Sequence, residues 1–199
     1  MSTVRRTMPA LAVAALCLVI GVLLGRVCAD ADSGTGAAAL TDSDIAFAQE
    51  MSMHHQQAIG MTDMLGPGAA PDVRALATQI RSSQWREIGI LTGWLELAGA
   101  PFQPAAHTDP GRHDMPGTAS NEELTRLHDA AGPEQETLFL QLMIRHHQGG
   151  IDMAAEAARA TALPAVRARA TAIVDEQQQE ITLMTVSMDA RGASALPYP

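Results

Sequence analysis

One stretch of this chain occurs twice, and that duplication restricts the fold more than any other feature. Phe47–Met61 reads FAQEMSMHHQQAIGM and Phe139–Met153 reads FLQLMIRHHQGGIDM. Superimposing the two His-His-Gln triplets also pairs Phe47 with Phe139, Gln49 with Gln141, Met51 with Met143, Ile59 with Ile151 and Met61 with Met153. The repeat continues downstream. Pro71, Val73, Arg74, Ala75, Ala77, Ile80, Gln84, Glu87 and Ile88 match Pro164, Val166, Arg167, Ala168, Ala170, Ile173, Gln177, Glu180 and Ile181. Each copy carries apolar residues at helical spacing on both sides of a break, so each is a helical hairpin. Two such hairpins bury their apolar stripes only against each other, which predicts a four-helix bundle with pseudo-two-fold symmetry. Composition agrees with an all-α fold. Hydrophobic residues make up 47% of the chain but aromatics only 3%, and sheets favour aromatic and β-branched side chains.

Local signals divide the chain further. Arg5 and Arg6 precede the apolar run Pro9–Gly25, and small residues follow at Cys28 and Ala29. Residues 1–29 therefore read as an export signal peptide or an uncleaved signal anchor, a transmembrane helix at the lower limit of length. Either places the domain outside the cytoplasm, as a secreted, periplasmic or membrane-anchored protein. Both cysteines, Cys17 and Cys28, lie in this segment, so the domain has no thiol for a thiolate zinc site, a catalytic cysteine or a disulfide. Residues 30–40, rich in Gly, Ala, Ser and Asp, read as a flexible linker.

The domain spans 41–192: repeat one at 41–99, a loop and short helix at 100–132, repeat two at 133–192, then a tail at 193–199. Thr41 is the expected N-cap of the first helix, which runs to about Leu65 before Gly66-Pro67-Gly68. Pro71 opens the second, to about Ala98, and Ser120–Glu123 forms a capping box for the short helix. The third long helix runs from about Pro133 to Thr161, and the fourth from Pro164 to near Gly192.

Polar residues stand where a bundle core is expected to be apolar. At ~100° per residue, Phe47, Met51, His54, Ala58 and Leu65 share one face, flanked by His55 and Met61. In the second copy Phe139, Met143, His146, Gly150 and Ala157 do the same, flanked by His147 and Met153. The partner helices place Gln84 and Glu87, and again Gln177 and Glu180, in seams otherwise filled by Val, Ala, Ile, Leu and Met. A carboxylate in a core is costly unless it is paired or coordinating. The middle layer is thus expected to gather the histidines, the methionines, both Glu and both Gln, with Gly150 leaving room beside His146. Gln56 and Gln148 point away from the seam.

The chemistry of that set points to a metal site. Imidazole suits copper, zinc, iron and nickel, whereas thioether selects soft Cu(I) and, by extension, Ag(I). His54, His55, Met51, Met61, His146, His147, Met143 and Met153 are the candidate ligands, with Glu87, Glu180, Gln84 and Gln177 as supporting groups or further ligands. His107, His113 and Met115 in the loop form a looser accessory set. Copper is the expected ion, and zinc and iron are alternatives. A di-iron carboxylate bundle needs Glu-x-x-His on two helices, and that spacing is missing here. A buried His–Glu network with a purely structural or interaction role is one alternative, and a metal-dependent oxidoreductase is another. No nucleophile with its base is recognisable, so catalysis is not expected. The net charge of -9 argues against nucleic acid as a partner. Expected partners are a metal ion and, if the N-terminal helix is retained, the membrane; a homo-oligomer is left open.

The repeated HHQ, the Gln84–Ile88 and Gln177–Ile181 segments (Q-x-x-E-I) and Met115-Pro116-Gly117 together resemble one bacterial family, catalogued as domain of unknown function 305. The resemblance covers about Asp42–Arg191. It implies a ferritin-like four-helix bundle, export from the cytoplasm, and the copper binding attributed to some members. On this chain it points to the same eight His and Met residues. Thr118 stands where many relatives carry Met, and Leu91 stands opposite Met184 of the second repeat.

Overall fold

Helix boundaries fall where the local chemistry places them. The computed structural model describes residues 39–104 and 115–198; the expected signal segment, most of the linker, His107 and His113 lie outside the described residues. Helix α1 spans Asp42–Met64, α2 Pro71–Leu97, α3 Asn121–Asp129, α4 Gly132–Ala160 and α5 Pro164–Asp189. All regular structure among the described residues is helical. Thr41 and Asp44 close a capping box at α1, with reciprocal backbone–side-chain bonds of 2.9 and 3.2 Å. Ser120 and Glu123 do the same at α3. Pro71, Pro133 and Pro164 sit in the first turns of α2, α4 and α5, where a missing N–H costs nothing.

The repeats pair as hairpins, α1 with α2 and α4 with α5, and the hairpins meet mainly through α1 against α4. Helices α2 and α5 touch more lightly, and α3 lies against α1 and α4. Matching contacts relate the two halves. Gln49 donates to the Pro101 carbonyl at 2.7 Å, and its counterpart Gln141 donates to the Ser194 carbonyl at 2.7 Å. Each repeat thus ties the chain leaving its second helix back onto its first. At one end Arg191 bridges Asp72 on α2 and Glu136 on α4, at 2.8 and 2.9 Å.

The apolar core comes in two parts. One gathers Ala58 and Met61 of α1, Val73, Ala77 and Ile80 of α2, Leu138–Ile144 of α4 and Met184 and Met188 of α5. The other gathers Phe47, Ala48 and Met51 of α1, Leu91 and Leu95 of α2, Ala154 of α4 and Val166, Ala170 and Ile173 of α5. On each of the four long helices a buried polar pair lies between these two sets: His54 and His55, Gln84 and Glu87, His146 and His147, Gln177 and Glu180. The polar layer therefore sits mid-core with apolar packing on both sides.

Glycine decides one further contact. The segment Met115–Ala119, between the loop and α3, crosses α4 at close range. Gly117 has φ 74°, and a Cβ there would run into the Arg145 carbonyl. A Cβ on Gly149 would run into the Pro116 carbonyl. Both clashes are with backbone, so no rotamer change relieves them. No described helix is long and apolar enough to cross a membrane.

Phe139 is fully buried in the first cluster and Trp85 is 51% exposed, which separates them as probes of the core. Phe139→Ala is expected to cost about 3–5 kcal/mol in urea unfolding. Trp85→Ala should change stability by no more than about 0.5 kcal/mol. Equal costs at the two sites would contradict this core.

Candidate metal centre

The four histidines reach one layer because the His-His pairs sit midway along α1 and α4, whose halves pack antiparallel. The helical wheel predicted His54 and His146 in the core and their neighbours on its flank. All four are buried, with exposures of 0, 0, 1 and 0% for His54, His55, His146 and His147. The His54 and His146 rings lie face to face across the hairpin interface, centroids 3.8 Å apart and tilted by 34°.

Each imidazole is held through the same atom. His55 Nε2 meets Glu87 Oε2 at 2.5 Å, and His147 Nε2 meets Glu180 Oε2 at 2.7 Å. His54 Nε2 meets the Pro116 carbonyl at 3.1 Å, and His146 Nε2 meets the backbone carbonyl of His54 at 3.0 Å. A carbonyl only accepts, so Nε2 of His54 and of His146 carries the proton. Burial, first, and the neighbouring histidines hold His54 down to about 3 and push His146 well below the ordinary histidine value. Burial also brings His55 down to about 3. These rings are neutral at pH 7, and where Nε2 bears the proton, Nδ1 presents a lone pair. Nδ1 of all four histidines is buried without a hydrogen-bond partner.

The two His–Glu pairs differ beneath the pseudo-symmetry. Burial raises Glu87, which shares a side-chain hydrogen bond with Glu176. Arg86 meets Glu176 at 2.5 Å on its outer side. At the equivalent place in the other repeat stands Ser83, whose hydroxyl donates to Glu180 at 2.8 Å. Burial opposes the charge on Glu180, but bonds from His147, Ser83 and Gln79 together hold it below the usual carboxylate range.

Gln84 and Gln177 are buried beside the histidines, and Oε1 of Gln84 and both amide atoms of Gln177 lack partners. The room left by Gly150 is filled by the Gln177 amide, so this glycine serves Gln177 where space beside His146 was expected. The methionines are distributed around the layer instead of being gathered within it. Met51 belongs to one apolar cluster, Met61 and Met143 to the other, all fully buried. Met153 is half-buried at a cleft lined also by Phe47, Glu50 and Glu156. The reason is axial spacing: a methionine a turn or more from a histidine on one helix packs in the next layer. Met115 is half-buried at the head of the crossing segment, where its carbonyl accepts from Thr118 Oγ1 at 2.8 Å.

Sequence reasoning missed Gln57. Its amide holds both backbone groups of Ala119, donating at 3.0 Å and accepting at 2.8 Å. The signal available was the pairing of Gln57 with Gly149, a polar side chain in one repeat where the other has none.

Donors of this kind fit a metal in one respect and limit it in another. Metal-binding histidines characteristically give their second nitrogen to a carboxylate or backbone carbonyl, as all four do here. Among the described residues, however, no group of three or more His, Cys, Asp or Glu side chains gathers as a metal-holding cluster. What the layer itself offers is four buried imidazole nitrogens, with the methionine thioethers in the apolar layers on either side and at a cleft.

This architecture defines an all-helical protein made of a duplicated hairpin with a buried His–Glu layer. The chain belongs to the DUF305 family: the profile described as "Domain of unknown function (DUF305)" matches residues 44–188. A DUF305 protein from Streptomyces coelicolor, described as secreted, is 33% identical over 78% of this chain and 98% of its own, with a TM-score of 0.71. A DUF305 fragment from Deinococcus radiodurans is 31% identical over 76% and 99%, with a TM-score of 0.69. CopM in its Cu(II)-bound form is 27% identical over 74% and 96%, with a TM-score of 0.61. CopM has also been solved with Cu(I) and with Ag. No curated protein matches the chain.

Neutral buried histidines make stability depend on pH. Unfolded histidines take protons near pH 6.5, whereas His54 and His55 resist protonation down to about 3. Acid therefore favours the unfolded state. Stability is full above pH 6.5 and falls between there and pH 3, by up to about 1.4 kcal/mol per pH unit for each such histidine. Urea midpoints of the metal-free protein should drop between pH 7 and pH 5, and equal midpoints would refute the assignment.

Proposed function

We propose that this protein binds copper outside the cytoplasm, for sequestration, tolerance or delivery, inside a ferritin-like four-helix bundle. The single observation that carries the proposal is the arrangement of the four imidazoles. Each is held at Nε2 by a carboxylate or a backbone carbonyl, and each leaves a buried Nδ1 unpartnered. A purely structural His–Glu network would be expected to satisfy both ring nitrogens, because an unpaired buried polar atom costs about 1–3 kcal/mol. His54, His55, His146 and His147 are the proposed nitrogen donors, with Met51 and Met143, the repeated methionines one turn before each pair, and Met61 and Met153 after them as proposed thioethers. Glu87 and Glu180 orient His55 and His147, while the unpartnered Oε1 of Gln84 and amide of Gln177 serve bound ion or water. His107, His113 and Met115 remain an accessory set. Copper and silver bound to CopM, a relative of similar fold, support the choice of a soft ion. The secreted relative and the basic-then-apolar N-terminus support an extracytoplasmic location, reached by a cleaved signal or held by a retained anchor.

Competition with a Cu(I) chelator tests the reading on purified protein. Intact protein should bind Cu(I) and Ag(I) and melt at higher temperature with either. Replacing all four histidines by Gln should abolish both effects. Glu180→Gln, which leaves the ligands in place, should weaken binding by about 10–100-fold. Met51→Leu with Met143→Leu should weaken Cu(I) binding while each costs less than about 1.5 kcal/mol in stability. A protein that binds neither ion, with an unmoved melting temperature, would sink the proposal.

A further inference from the structure

The two repeats do not treat their core histidines alike. His146 gives its Nε2 proton to the backbone carbonyl of His54, on the opposite hairpin, at 3.0 Å. Strict two-fold symmetry would have His54 give its proton to the carbonyl of His146. Instead His54 turns to the Pro116 carbonyl, 3.1 Å away, in the segment that joins the repeats. That carbonyl is available only because Met115–Ala119 is laid across α1 and α4 as a strap.

Three features hold the strap. Gln57 grips Ala119 at both backbone atoms. Arg145 donates to the Thr118 carbonyl at 3.3 Å and pairs with Glu123 at 2.6 Å. Gly149 and Gly117 remove the side chains that would keep the strap from the backbone of α4. Gln57 faces Gly149 in the repeat alignment, so one repeat supplies the clamp and the other the clearance. One difference between the repeats, Gln57 against Gly149, therefore gives a single strap site where exact symmetry would give two equivalent faces.

We infer that Gln57 is a positioning residue for His54: through Ala119 it places the Pro116 carbonyl on Nε2 and thereby commits Nδ1 as the free donor. Without the strap, His54 keeps no fixed acceptor, and a neutral imidazole then distributes its proton between both nitrogens. His146 does not depend on the strap and serves as an internal control. The tautomer claim stands on the metal-free protein, while its consequence for copper rests on the function proposed above.

The test uses 15N-labelled full chain without metal, with imidazole nitrogen shifts recorded at pH 7. Wild type should show His54 and His146 each as a single Nε2–H form. In Gln57→Ala the His54 signals should move to values averaged between the tautomers, while those of His146 stay in place. Gly149→Ala, which drives the strap off by backbone clash, should give the same signature. Cu(I) affinity of either variant should fall about 10-fold, the lower end of the cost of losing a group that orients a ligand. A His54 that remains Nε2–H in both variants, or is Nδ1–H in wild type, overturns the inference, as does equal movement of His54 and His146. A His54 shift with unchanged copper affinity in a protein that binds copper also overturns it. If neither wild type nor variant binds copper and the His54 shift still appears, the metal reading falls while the hold of the strap on His54 stands.

Discussion

Everything in this structure depends on burying four imidazoles and two carboxylates halfway through an apolar core. Such groups are tolerated in a core when they are paired. Here the pairing is made at Nε2 of each ring, while Nδ1 stays unpartnered, and it is geometric. His55 needs Glu87 and His147 needs Glu180, which locks the register of each hairpin. His146 needs the backbone of His54, which locks the register between hairpins. A slip of one turn along any long helix would leave a buried imidazole or carboxylate without its partner. Apolar packing alone, with Ala, Leu, Ile and Met above and below, would forgive such a slip far more readily. The polar layer therefore specifies the fold while the two apolar clusters stabilise it.

The internal repeat gives the structure its symmetry, and the repeats differ where the chemistry is concentrated. Glu176 stands where the other repeat has Ser83, so one His–Glu pair leans on a second carboxyl and the other on a hydroxyl. Gln57 stands opposite Gly149, so one core histidine answers to a strap and the other to a neighbouring helix. The two halves of the layer are thus related by sequence but differ in charge environment and in backbone support. An ion entering this layer would meet two unequal sets of imidazoles.

Much of this was legible in the residues. Thr41, Pro71, Ser120 and Pro164 mark helix starts because capping and proline geometry are local effects, decided within a few residues. The hairpin repeat was legible because identical apolar spacing recurs. Gln84, Glu87, Gln177 and Glu180 stood out because a polar residue in an apolar seam violates its own pattern. The methionines were less legible. Met61 and Met153 share the motif with the histidines, yet axial spacing places Met61 in the neighbouring apolar layer and Met153 at a cleft. Gly150 was expected to make room for His146, and it makes room for Gln177, since the nearest side chain across a glycine is set by the facing helix.

By itself the sequence determined an all-helical chain, its helix ends, the pairing of its repeats and the residues that would sit uneasily in a core. These follow from interactions between residues close in sequence or from patterns repeated along it. Only the tertiary structure decided which atom answers which. That Nε2 and not Nδ1 of each histidine is engaged, that Pro116 reaches His54, and that Gln57 holds Ala119 all depend on partners far away in the chain. Their contact is fixed by how the hairpins dock, and no local preference of either partner carries that information.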